Sequence, residues 1–232
     1  LDREVQRLLD ALTTDNIELT VDELEKWAVK SIDEEDTRRL WRIAQLMVGK
    51  AANLEAKDAD VHARTCQSLS LRLRAVQLNY RGKLDAGDTV FLKLLISSIK
   101  GSFDVVHGHC RCHTNESVAG ARCRLALTRF LGEFFNKNIL NEGFLRAFVE
   151  RLLANVTDPQ RGHAETVCEL LIVVGQKLDT AERRTTMDGY IDRIRAMNLK
   201  LRENEHTSIR SALQVIQNLV ELRERKWLPV DV

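Results

Sequence analysis

The densest group of reactive side chains in this sequence is His107-Gly108-His109-Cys110-Arg111-Cys112-His113, with Cys123 further along. Imidazole and thiolate at close spacing can hold zinc tetrahedrally. Cys-x-Cys, however, lacks the two-residue knuckle of most zinc sites, and no second ligand pair follows at a suitable distance. The stretch therefore reads as a loop between helices, and no metal or other cofactor is expected. Arginine offers a second chemistry, because its planar fork binds phosphate through paired hydrogen bonds. Arg122, Arg124 and Arg129 form one basic group, Arg183, Arg184, Arg193 and Arg195 another, and Arg223, Arg225 and Lys226 a third. Each is interleaved with acids, as on an ordinary solvated helix face. Only 5% of residues are aromatic, so extensive base stacking is not expected. Phosphate loops, dinucleotide fingerprints, H-E-x-x-H and G-x-S-x-G are all missing. The carboxylates sit on polar faces, and the chain does not read as an enzyme.

Whatever holds these residues in place is helical. Around the first basic group, Phe130 and Leu131, then Phe134 and Phe135, recur at helical spacing. Phe144 and Leu145, Phe148 and Val149, and Leu152 and Leu153 form a second stripe on one face of a 3.6-residue helix. Between them lies a short polar turn, with Asn141 as N-cap and Glu142 in the first turn of the second helix. Neither stripe can be buried without neighbours. Similar stripes run through the chain. They predict helices over residues 1–12, 21–31, 33–48, 58–73, 86–100, 165–178, 180–198 and 207–223. Asp33, Glu34, Glu35 and Asp36 are expected to open the third. About ten helices joined by short turns, with no convincing strand alternation, point to an all-α chain of about five stacked hairpins, an α-solenoid. A compact bundle is the alternative, but no helix is apolar all round, as a central bundle helix is.

Bulk composition agrees. With 232 residues, 44% hydrophobic, the chain can bury a sizeable core, and it reads as a single domain over residues 1–232. A net charge of +1 gives no general attraction for nucleic acid, so any RNA contact must come from a local patch. Five cysteines, an odd number, fit a reduced intracellular setting better than a disulfide framework. No apolar run approaches the ~20 residues of a membrane span. The sequence starts at Leu1 without a methionine or signal-peptide pattern and is expected to be a piece of something longer. Extended helical arrays without a catalytic set most usefully bind partners.

Several segments resemble the middle domain of eukaryotic translation initiation factor 4 gamma, fungal members especially. RFLGEFFNKNILNEGF (residues 129–144) is similar to the family's R/K-F-I-G-E-L-F followed by M/L-L-T-E. VCELLIVVGQKLD (167–179) resembles L-C-x-L-L-x-T-V-G-K-x-L-D, and QNLVELRERKW (217–227) resembles Q-D-V-L-D-L-R-x-x-x-W with Pro229 after it. LEKWAVKS (24–31) and HARTCQSL (62–69) complete a set in family order. The resemblance implies five HEAT repeats in a cytoplasmic scaffold that binds a DEAD-box RNA helicase of the initiation factor 4A type. It also implies that the domain orients the two helicase lobes to stimulate ATPase activity, contacts RNA on a basic surface, and meets other initiation factors through flanking regions. On this reading Arg122, Arg124 and Arg129 contact RNA. Asp33, Glu34, Glu35 and Asp36 near one end, and Arg202, Arg210 and Arg223 near the other, contact the helicase. The sequence departs from the family after Phe91 and Lys93, and where a long charged insertion gives way to the short His/Cys loop. A related middle domain in an mRNA decay or processing adaptor (a nonsense-mediated decay scaffold, a nuclear cap-binding subunit or a poly(A)-binding-protein partner) is the alternative.

Overall fold

In a computed structural model the chain is described over residues 1–34, 36–108, 118–203 and 210–228, with the backbone alone for 104–108. Glu35, the stretch from His109 to His113, Thr207 to Ile209, and Pro229 lie outside the described residues. Within them are ten α-helices: α1 Asp2–Asp10, α2 Ile17–Ala28, α3 Arg38–Ala51, α4 Ala59–Leu73, α5 Gly87–Gly108, α6 Val118–Asn136, α7 Glu142–Leu152, α8 Arg161–Leu178, α9 Arg184–Glu203 and α10 Arg210–Glu224. The all-α class holds, with one correction. Residues 77–86, where no strand is expected, form an antiparallel hairpin, β1 Gln77–Tyr80 and β2 Lys83–Ala86. Its two-residue turn sets Arg81 at φ 55° and Gly82 at φ 77°, the left-handed pair that matches strand twist. Only Leu78 buries fully, so the apolar alternation that announces a strand is almost absent.

The chain divides within α6 into two compact units, Leu1–Phe130 and Leu131–Val232. In the first, α1 packs on α3 and α3 on α5, while α2 packs on α4. Each hairpin thus rests on the next, since helices of one stripe width cannot bury themselves alone. The buried stripe of α3 (Leu40, Ile43, Ala44, Met47, Val48, Ala51) is the expected one. The second unit centres on α8, whose Val167, Cys168, Leu170, Leu171 and Val174 pack with Leu145 and Val149 of α7, Ile191 and Ile194 of α9, and Ile216 and Leu219 of α10. Gly132 of α6 lies against α8, where a Cβ would come within 2.7 Å of Val173.

One helix end differs from expectation in an instructive way. Asp33, Glu34 and Asp36 do not open α3; they precede it. Thr37, held at φ 54°, is the N-cap and makes no capping hydrogen bond with its side chain. The free amides are met from upstream: Arg39 N–H donates to Glu34 Oε2 at 2.9 Å and Leu40 N–H to Ser31 Oγ at 3.0 Å. At the end of α6, Asn138 takes φ 59° and Ile139 N–H closes on Phe134 O at 2.8 Å. Lys177 of α8 then donates to Phe135 O, Asn136 O and Asn138 Oδ1 at 2.8, 3.1 and 2.7 Å. Asn141 caps α7 as expected, accepting from Phe144 N–H at 2.8 Å.

His62 of α4 is buried, and burial, reinforced by the Lys50 charge and opposed by Asp58, pushes its imidazole down to about 4 from 6.5. The ring is therefore neutral when folded, whereas the unfolded chain gains a proton near the ordinary value. As pH falls from about 6.5 to about 4, protons favour the unfolded chain, and stability drops by about 3 kcal/mol across the window. Urea unfolding at pH 7 and pH 5 is expected to show about 2 kcal/mol of this loss, and His62→Leu to remove most of it.

Candidate protein-docking site

The family-like motifs at residues 167–179 and 217–227 meet in space. α8 ends at Leu178, and Asp179 follows as its C-cap, its N–H donating to Gly175 O at 2.8 Å. α10 runs past Asp179 and closes on a double turn: Lys226 N–H donates to Arg223 O and Trp227 N–H to Leu222 O, both at 2.8 Å. Those two bonds are the paired closure of a helix C-terminus, which puts the residue after the cap in the left-handed region. Here that residue is Lys226 at φ 55°, with Trp227 beside it at φ 65°. Neither is glycine, so the turn carries about 1 kcal/mol of backbone strain per residue. The offsetting contact is the indole. Trp227 lies on Gly175 so closely that a Cβ there would sit 2.1 Å from the ring.

Its Nε1–H donates to Asp179 Oδ2 at 3.1 Å, and Arg223 donates to both oxygens of the same carboxylate at 2.9 and 3.3 Å. Arg223 also reaches Asp188 of α9 at 2.6 Å. Burial alone would raise the Asp179 carboxyl, but these hydrogen bonds and the charge of nearby Arg184 hold it below its usual value. Gly175, Asp179, Arg223 and Trp227 thus form one closed contact tying α8, α9 and α10 together. Beside it opens a cavity of about 560 Å3 in the second unit. Ile191 and Val220 supply apolar lining, Arg184, Arg195 and Lys226 positive charge, and Trp227 an aromatic wall.

Other sequence candidates are placed less favourably. Arg223 is only 19% exposed and already satisfied by two carboxylates. Arg124 is fully buried, so it cannot present its guanidinium to a phosphate at the surface. It is two residues beyond Arg122, a rotation of roughly 200°, which turns it inward, whereas Arg129, seven residues from Arg122, returns to the same face. Arg122 is exposed and Arg129 half-buried. Glu34, ion-paired with Arg39 at 3.3 Å and capping α3, is committed to the fold. Asp33 and Asp36 remain exposed, with Asp36 paired to Arg38 at 2.6 Å. Arg202 and Arg210 are exposed. In the discounted group of four arginines, Arg183 pairs with Glu142 at 2.7 Å and Arg193 with Glu150 at 2.6 Å, while Arg184 and Arg195 face the cavity. Adjacent numbering hides that split, because neighbours on a helix point about 100° apart.

The first unit carries a smaller groove of about 310 Å3, lined by Asp36, Trp41, Tyr80, Arg81, Leu94 and Ser97. Trp41 is 45% exposed there. On α4, Arg72 holds Glu18, Asp22 and Glu25 of α2 together, a structural charge network. Among the described residues no histidine, cysteine and carboxylate group comes together as a metal site, and no helix is long and apolar enough to cross a membrane. Cys66 and Cys168 are buried, and burial raises both thiols far above reactive values.

A family model described as the MIF4G domain matches residues 2–226. Similar curated proteins include eukaryotic translation initiation factor 4 gamma of Schizosaccharomyces pombe, 28% identical over 83% of this chain and 15% of its own length. Eukaryotic translation initiation factor 4G of Arabidopsis thaliana is 24% identical over 97% of this chain and 13% of that protein. Human eukaryotic translation initiation factor 4 gamma 2 is 27% identical over 98% of this chain and 26% of its own length. The chain thus spans a quarter or less of the first two relatives and about that share of the third.

Proposed function

This chain belongs to the MIF4G domain family, and from that premise we propose that it is a non-catalytic scaffold of translation initiation that binds a DEAD-box RNA helicase of the initiation factor 4A type. The observation that carries this reading is the match across residues 2–226, reinforced by the way the two most family-like segments close on each other through Gly175, Asp179, Arg223 and Trp227. A chain that retains this lock keeps the frame on which the family's partner surfaces are displayed. Its work is physical rather than chemical. By touching both helicase lobes in one relative orientation, it favours that orientation in proportion to its differential affinity, with about 1.4 kcal/mol for each tenfold bias.

Asp33 and Asp36 in the first unit and Arg202 and Arg210 in the second are the exposed charges assigned to the two lobes. Arg122 and Arg129 share a helix face and are assigned to RNA. Calorimetric titration of a purified helicase of this type with the chain is expected to give a micromolar or tighter complex. Asp33→Lys with Asp36→Lys, or Arg202→Glu with Arg210→Glu, is expected to weaken it about tenfold, chiefly through slower association. No heat of binding at micromolar concentrations would remove the helicase from the reading. Recovery of mRNA decay factors in place of initiation factors would move the scaffold to that pathway.

A further inference from the structure

We propose that the cavity beside Trp227 is a receptor for an acidic segment of a partner protein, one whose carboxylate is flanked by an apolar or aromatic side chain. The size is right: about 560 Å3 falls within the range of ligand-binding clefts. The electrostatics are specific. Of the lining cations, Arg223 is saturated by Asp179 and Asp188, so it holds the wall without offering charge. Among the described residues Arg195 meets only Asp192, at 3.4 Å and exposed. Arg184 and Lys226 make no ion pair among the described residues and are both exposed, facing the same space. Asp179 lies near enough to feel the Arg184 charge, but its hydrogen bonds go to Arg223 and the indole.

Backbone strain is spent in the same place. Successive left-handed residues, Lys226 and Trp227, bring an ammonium and an aromatic ring to the edge of one cavity. Val220 and the Trp227 ring, both half-buried, give the flanking apolar group of the incoming segment a surface to cover. A nucleic-acid backbone fits less well, because Glu224 lines the same cavity and Asp188 lies beside it, and both repel a continuous run of phosphates. A peptide can set one carboxylate between Arg184 and Lys226 and leave Glu224 to a basic neighbour. This assignment is independent of the helicase reading, and its test contains no helicase, so either can fail alone.

The test is a titration of the nitrogen-15-labelled chain with the tripeptide acetyl-Glu-Phe-Lys-amide, which carries one carboxylate, one aromatic ring and a basic neighbour, followed by NMR. The three tryptophans give three indole resonances, assigned by Trp→Phe variants. At up to about 20 mM peptide, a range that reaches millimolar affinities, the Trp227 indole and the Lys226 amide are expected to shift with saturation. The Trp27 and Trp41 indoles are expected to stay in place. Arg184→Glu and Lys226→Glu change exposed side chains, and well-dispersed spectra will show that both fold. Each is expected to weaken the peptide about fivefold or more, as reversal of an ion-pairing partner should. A Trp227 resonance unmoved throughout, or equal affinity in both variants, overturns the proposal. So does a stronger and variant-sensitive response to penta-uridylate or inorganic phosphate, which would make the cavity a phosphate site instead.

Discussion

Gly175→Ala is expected to cost about 3 kcal/mol of stability, the scale of a core substitution that forces a large side chain out of place. In a helix interior, alanine normally gains roughly 1 kcal/mol over glycine, so the sign itself is diagnostic. The new methyl group would meet the Trp227 ring at 2.1 to 2.6 Å, and the ring cannot slide away. It is held by its Nε1–H bond to Asp179 and by a closing turn in which both Lys226 and Trp227 are left-handed. Displacing it breaks that bond and opens the cavity wall. Trp227→Ala removes the obstacle. In that background Gly175→Ala is expected to become neutral or slightly stabilising, so the two changes should be non-additive by about 3 kcal/mol. Urea unfolding of the four proteins, followed by circular dichroism, measures the cycle. Equal cost of Gly175→Ala with and without the tryptophan would show that the ring is not what occupies this space.

Asp179→Ala is expected to be comparably severe, at about 2–4 kcal/mol. The carboxylate is 11% exposed and accepts from Arg223 and Trp227 at once. Without it, Arg223 stays mostly buried with only Asp188, and the indole N–H loses its acceptor. The pH signature is distinct from that of His62. Because the folded Asp179 carboxyl titrates below its usual 3.8, its contribution is complete above that pH and is lost as pH falls further. Wild-type chain should therefore lose stability in two stages, the His62 stage between about pH 6.5 and 4 and the Asp179 stage below it. Asp179→Ala should shrink the lower stage to what Asp2 and Glu4, also held low by arginines, contribute, and keep the upper.

Much of this was legible from residue spacing. The stripes of α3 and α8 are legible because an apolar face repeating every 3.6 residues is the face a helix buries, whereas in α10 the inward face is Ala212, Ile216 and Leu219, with the expected Leu213 and Val220 only half-buried. Asn141 was readable as a cap because its side chain acts three residues away, within local sequence. Longer-range effects were not readable. The acids near Asp33 look like a helix start, yet Glu34 reaches forward to cap a helix that begins later, at Arg38. The hairpin at 77–86 hides its pattern because its second strand buries nothing fully.

The docking site shows the same division. Gly175, Asp179, Arg223 and Trp227 are visible as matched letters in two motifs that start 50 residues apart, at 167 and 217, but pattern alone assigns no reason to them. Only contact between α8 and α10 reveals that a glycine is required because a tryptophan covers it. Arg223, expected to greet a partner, is instead the clamp of that contact. Arg184 and Arg195, dismissed as part of a solvated run, line the cavity, a distinction that depends on helix rotation rather than composition. Helical phase applied to Arg122, Arg124 and Arg129 could have separated the buried middle residue beforehand.

The most direct test of the scaffold reading is the steady-state ATPase rate of a purified helicase of the initiation factor 4A type, measured with RNA and increasing amounts of this chain. The account predicts a saturable rise in helicase turnover, no ATP hydrolysis by the chain alone, and a loss of stimulation when Trp227 is replaced and its unit loosened. A flat helicase rate up to concentrations well above micromolar, or ATP turnover by the chain on its own, would contradict it.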